Sequence, residues 1–142
     1  MVQAIFTNRP LSIKPISWVN GITRVKTKRP FDHGAILKDG IVYESTAGIG
    51  VHCISFEEWK KGREGTSIFL FDVPDDHYDF DVFDSLEGTK YDLKANLLFL
   101  FGMEHKLKNN ALDAIFCTGL MAMMEHKPMP YKATPGSLAI DY

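Results

Sequence analysis

The amino-acid sequence predicts an α+β fold in which an antiparallel sheet packs against helices. Three observations carry this. Short β-rich runs occupy residues 2–7, 33–38, 41–44, 51–54 and 67–73, mostly in the first half of the chain. Two of them flank Asp39-Gly40, and Asp-Gly between apolar runs is the strongest short-range signal for a tight hairpin. Helical patterning with caps dominates the second half, so strands and helices are largely segregated rather than alternating.

The elements follow in order. Residues 2–7 read as a first strand, broken at Arg9-Pro10. Residues 12–19 are expected as a short helix, with Ser12 as its cap, Pro15 in its first turn and Gly21 after its end. A loop through Lys28-Arg29-Pro30 leads to the hairpin, and residues 51–54 form the next strand. Ser55-Phe56-Glu57-Glu58 is a capping box for a short helix that carries Trp59 and ends near Gly62. A strand at 67–73 stops at Pro74. Asp76 is expected to cap a helix through Phe80, Phe83 and Leu86, closed by Gly88. Further helices are expected at 93–101, closed by Gly102, and at 114–125, after a linker at Asn109-Asn110. Residues 138–140 are expected as a last edge strand.

Length and composition fit one domain, residues 1–142, with a substantial core. The chain is 45% hydrophobic and 24% charged with net charge −2, and a chain of this size buries roughly two-thirds of its unfolded surface. An aromatic content of 12% argues against disorder. The best apolar stretch, 93–101, falls far short of the roughly 20 residues a bilayer span needs. The first six residues lack the basic and apolar regions of a secretory signal, so a cytoplasmic location and no membrane span are expected. The near-neutral balance gives no electrostatic footprint for nucleic acid, and the basic run at 24–29 reads as a solvated loop. Cys53 and Cys117 make no disulfide framework and are expected as free thiols. The absence of paired Cys or His at ligand spacing gives no metal site and no cofactor. The acidic run at 72–84 lacks the glycine and terminal glutamate of a calcium loop.

The hairpin register organises the chemistry. With Asp39-Gly40 as a two-residue turn, Lys38 faces Ile41, Ala35 faces Glu44 and His33 faces Thr46. Side chains alternate, so His33, Ala35 and Leu37 share a face with Val42, Glu44 and Thr46. His33 and Glu44 are then diagonal neighbours on an otherwise apolar face, where an unpaired polar group is costly. Two readings of this pair stand side by side: a structural His–carboxylate contact, and two-thirds of a catalytic triad. The second requires a nucleophile. Cys117 is the candidate, in the first turns of the last helix, where unpaired amides and the helix dipole favour a thiolate. Thr118-Gly119 beside it are poor helix formers, and glycine permits close approach to the backbone. The Cys117 sulfur is expected about 3 to 5 Å from the His33 ring. Cys53, mid-strand, is expected to be packing; His77, His105 and His126 have no partner at useful spacing; Met121, Met123 and Met124 are expected in the core.

His33-Gly34-Ala35-Ile36, Val42-Tyr43-Glu44 and Phe116-Cys117-Thr118-Gly119-Leu120 together resemble the circularly permuted NlpC-type, papain-like group. That group includes the YiiX/YaeF-like hydrolases and, distantly, the lecithin:retinol acyltransferase relatives. The histidine strand precedes the cysteine helix, which is the permuted order, and Gly88-Thr89-Lys90-Tyr91-Asp92 resembles the Tyr-Asp that enters the helix before the cysteine helix. The likeness runs from about residue 16 to about residue 138. It implies Cys117 as nucleophile, His33 as base, Glu44 as the residue that orients the imidazole, and Tyr91 as a site-lining donor to an oxyanion beside the Cys117 amide. Two departures stand out: Asp32, rather than Ser or Thr, precedes His33, and Thr118 replaces the usual Ser. A carboxylate at position 32 competes with Glu44 for the ring, and His52 is a further candidate, so the third member stands among Glu44, Asp32 and His52.

The activity expected from this resemblance is thiol-dependent amide cleavage through an acyl-enzyme, on a small-molecule or peptide substrate such as a cell-wall peptide. The alternatives are a lipid acyl hydrolase or acyltransferase on the same residues, and a binding module that keeps the fold without turnover. The sequence leaves the oligomeric state open.

Overall fold

The computed structural model describes residues 1–10, 31–92, 115 and 117–127. The elements expected at 12–19, 93–101 and 138–140, the loops at 24–30 and 109–110, and His105 lie outside the described residues. Within them the protein is α+β, with a five-stranded antiparallel sheet and three short helices. The strands are β1 (Val2–Asn8), β2 (His33–Lys38), β3 (Ile41–Thr46), β4 (Gly50–Ser55) and β5 (Ser67–Val73). The helices are α1 (Phe56–Lys61), α2 (Phe80–Leu86) and α3 (Cys117–Met124). The sheet order is β4-β3-β2-β1-β5, so β2, which begins with His33, is central.

The β2–β3 hairpin turns at Asp39-Gly40, as the sequence predicts. Both residues have positive φ, 51° and 80°, the type I′ combination whose twist matches its flanking strands. Lys38 pairs with Ile41, Leu37 with Val42 and Ile36 with Tyr43. The Gly40 carbonyl accepts from the backbone N–H of Phe56 at 2.8 Å, which ties the hairpin tip to the start of α1.

Strand alternation divides the apolar side chains between two faces. On one, Val2, Ala4, Phe6 and Ile36 pack with Phe83 and Leu86 of α2 and Leu120, Met121 and Met124 of α3. On the other, Ile5, Ala35, Leu37 and Val42 pack with Trp59 of α1. The central strands are therefore covered on both faces. Gly34 sets how closely α3 approaches: a Cβ there would lie 2.7 Å from Met121 Sδ and 2.9 Å from Thr118 Cγ2. Gly50, at φ +91°, lets β4 run against residue 89, and Val51 N–H donates to the Thr89 carbonyl at 2.8 Å.

Several local expectations are corrected. The cap of α2 is Asp79, whose carboxylate accepts from Asp81 N–H at 3.0 Å, and not Asp76; the first turn forms where Phe80 and Phe83 can both reach Tyr43. The last helix begins at Cys117 rather than at 114, because Ile115 is held in a non-helical hydrogen bond, its N–H donating to the Lys90 carbonyl at 2.7 Å. Cys53 is exposed rather than packed, because β4 is an edge strand of the sheet. His77 and His126 do have partners, Glu125 at 3.4 Å and Asp79 at 3.0 Å, across the tertiary contact in which Asp79 N–H donates to the Met124 carbonyl at 2.8 Å. Ser55 accepts from Glu58 N–H at 3.3 Å, the forward half of the expected capping box.

Candidate active site

Three elements converge on one point. His33 opens β2, Glu44 lies on β3 and Cys117 is the first residue of α3. The hairpin register puts His33 and Glu44 on one face, and their side chains meet there: His33 Nε2 donates to Glu44 Oε2 at 2.7 Å. With Nε2 engaged, Nδ1 is the nitrogen left for the thiol, and the ring and the Cys117 side chain are hydrogen-bonded partners. Cys117 reaches the ring although α3 packs mainly on the opposite face: His33 is the first residue of its strand, and Gly34 next to it lets the start of α3 come close enough for the Gly34 N–H to donate to the Cys117 sulfur.

The thiol is positioned from its N-terminal side. Ser45, fully buried on β3, donates through Oγ to the Ile115 carbonyl at 2.6 Å. Ile115 is also held by the Lys90 carbonyl. These two bonds clamp the residue two places before Cys117 against β3 and against the segment that carries Tyr91.

The burial is graded. Glu44 is 3% exposed, Cys117 6% and the His33 side chain 17%, so the ring is the member that meets solvent. Burial alone would make the His33 ring a weaker base, but the Cys117 thiolate and the Glu44 carboxylate outweigh it and raise its pKa to about 9. Burial pushes the Cys117 thiol up. The His33 imidazolium, the hydrogen bond from that ring and the backbone N–H groups of Gly34 and Thr118 bring it below its ordinary value. Both shifts favour a thiolate–imidazolium pair. Burial also opposes ionisation of Glu44, yet the hydrogen bond and charge of His33, with Arg63 and Trp59, hold it down at about 2.

Of the residues the sequence singles out, Cys117, His33 and Glu44 are brought together. Asp32 is turned toward β1, where Oδ1 accepts from Thr7 Oγ1 at 3.0 Å and Oδ2 from Arg9 N–H at 2.9 Å. His52 reaches Glu44 Oε1 at 3.4 Å from β4, and its Nδ1 lies 2.9 Å from the Gly50 carbonyl. It stands behind the carboxylate rather than beside the thiol. Tyr91 follows the Lys90 bridge and is half-buried. Sequence reasoning missed Trp59 and Arg63 as members of the site. Trp59 Nε1 and Arg63 Nη2 each donate to Glu44 Oε2 at 2.8 Å. Their four-residue separation at the end of a predicted helix was the available signal, but nothing local aims them at residue 44.

Among the described residues, no group of three or more His, Cys, Asp or Glu side chains is placed to hold a metal ion. No helix of the described residues is long and apolar enough to cross a membrane. No protein-family model matches the chain, and no curated protein matches its sequence.

Proposed function

We propose that the chain is a cysteine-dependent hydrolase of the amidase or peptidase type, on a papain-like, circularly permuted NlpC-type fold, with Cys117, His33 and Glu44 as its triad. The observation that carries this is the convergence of a helix-N-terminal thiol, an imidazole and a buried carboxylate from three elements, linked in the order sulfur, ring, carboxylate. A purely structural His–Glu contact has no need of a thiol on the ring's other nitrogen.

In this reading the Cys117 thiolate attacks the amide carbonyl carbon, and the carbonyl electron pair moves to oxygen. The Cys117 N–H at the start of α3 has no partner within its helix and stabilises that oxyanion, with Tyr91 as the candidate second donor. The His33 imidazolium gives its proton to the leaving nitrogen, the C–N bond breaks and the amine departs, leaving a thioester. Neutral His33 then takes a proton from water as its oxygen bonds to the thioester carbon. The C–S bond breaks, the acid is released and the thiolate–imidazolium pair is restored. Glu44 stays ionised throughout and keeps Nε2–H in place.

The test joins selective alkylation to acyl trapping. At mildly acidic pH, iodoacetamide should modify Cys117 and spare Cys53, and His33→Ala should slow Cys117 at least tenfold. Mass spectrometry after exposure to peptide amides, simple esters and long-chain acyl esters should find an acyl adduct on Cys117. A preference for the long-chain esters would move the substrate class to lipids. Equal labelling of the two cysteines, or an unchanged rate in His33→Ala, would refute the thiolate–imidazolium pair.

A further inference from the structure

Glu44 is more crowded than a triad carboxylate that serves only one histidine. Three donors share one oxygen, Oε2: His33 Nε2 at 2.7 Å, Trp59 Nε1 at 2.8 Å and Arg63 Nη2 at 2.8 Å. They arrive from β2, from α1 and from the turn that ends α1. The other oxygen faces His52 of β4 at 3.4 Å. Arg63 is itself fixed: its guanidinium lies over the Trp59 ring, 3.9 Å from the centroid, and Nη1 donates to the Trp59 carbonyl at 3.4 Å. Its side chain is 11% exposed, so water screens this contact little.

We propose that Arg63 is a positioning residue of this site, which fixes the oxygen that Glu44 presents to His33 and takes up part of its negative charge. The inference rests on the triad reading for its purpose but on the shared oxygen for its content. A carboxylate bound only by His33 and Trp59 would place its full charge on the imidazole and hold the proton too firmly for release to a leaving group. A cation on the same oxygen lowers that hold. Because both nitrogens touch Oε2, they lie within about 5.5 Å of each other. At that range, with an effective dielectric of about 20, unit charges shift a proton affinity by about a hundredfold, two pH units. The titratable and charged groups around this pair are Cys117 on the far side of His33, His52 behind Glu44, and Asp32 and Arg9, whose charges reach Arg63.

The test is an NMR titration of the His33 ring in the full chain, which requires no substrate. Arg63→Gln should move the His33 midpoint upward by about two pH units, and Arg63→Lys, which keeps the charge, should return it most of the way. Trp59→Phe removes a donor without removing a charge and should give a smaller shift. In the parent chain, with no substitution, the Arg63 guanidinium resonances should move at the His33 midpoint. An unchanged or lowered midpoint in Arg63→Gln would overturn the proposal, because a residue that only packs on Trp59 would change stability and leave the ring's titration alone. Flat Arg63 signals in the parent would overturn it equally, even if Arg63→Gln failed to fold. Failure of the enzyme reading is distinguishable: the His33 midpoint would respond to Arg63 while Cys117 labelled no faster than Cys53.

Discussion

Replacing Glu44 by glutamine should cost about 3 kcal/mol of folding stability at pH 6, and the cost should vanish in acid. The carboxyl is buried and its pKa moves from 4.5 to about 2 on folding. A displacement of that size is worth about 3 kcal/mol at pH values above both. The removal of one partner from a buried ion cluster costs a similar amount, about 3–5 kcal/mol, since His33 and Arg63 would be left facing a neutral amide. For a carboxylate whose folded pKa is depressed, the stabilisation is complete above about 4.5 and is lost as pH falls through about 2. His33 limits it from the other side: a ring raised from 6.5 to about 9 stabilises fully below 6.5 and loses its contribution as pH rises through about 9. The His33 shift is owed first to Cys117 and the Glu44 shift also to Arg63 and Trp59, so only their common His33–Glu44 contact, counted once, is removed by this substitution. Urea unfolding of the parent and of Glu44→Gln between pH 2 and 10 should show a gap that is widest near pH 5–6.5 and narrows in both directions. A gap of constant size across that range would mean that Glu44 acts by shape alone, and the electrostatic account of the site would be wrong.

Two further substitutions probe how the thiol is placed. Gly34→Ala should destabilise by about 1–3 kcal/mol and slow Cys117 alkylation, because the new methyl meets Met121 and Thr118 and forces α3 off the sheet; unchanged unfolding and labelling would refute the close approach. Ser45→Ala should cost about 1–2 kcal/mol and also slow alkylation, since it leaves the Ile115 carbonyl without its 2.6 Å donor just ahead of Cys117. Loss of stability with an unchanged Cys117 rate would show that the clamp does not govern the thiol.

Much of the fold was legible because the signals are local. Asp39-Gly40 dictates a tight turn by backbone sterics, the turn dictates register, and register places His33 and Glu44 on one face. The same locality failed at α2. Asp76 and Asp79 are both competent caps, and the choice between them was made by Phe80 and Phe83 packing on Tyr43, a contact with a distant strand.

The sequence by itself determined the hairpin, the shared face of His33 and Glu44, and the presence of a cysteine at the start of a helix. Each follows from neighbours within a few residues, where φ/ψ preference and strand periodicity suffice. Only the tertiary structure decided that Cys117 meets His33, that Asp32 turns away to Thr7 and Arg9, and that Trp59 and Arg63 close around Glu44. Those contacts join residues from separate elements. They depend on how closely α3 settles over Gly34 and on how the Gly40 carbonyl anchors α1, distances that packing sets and that no local pattern encodes.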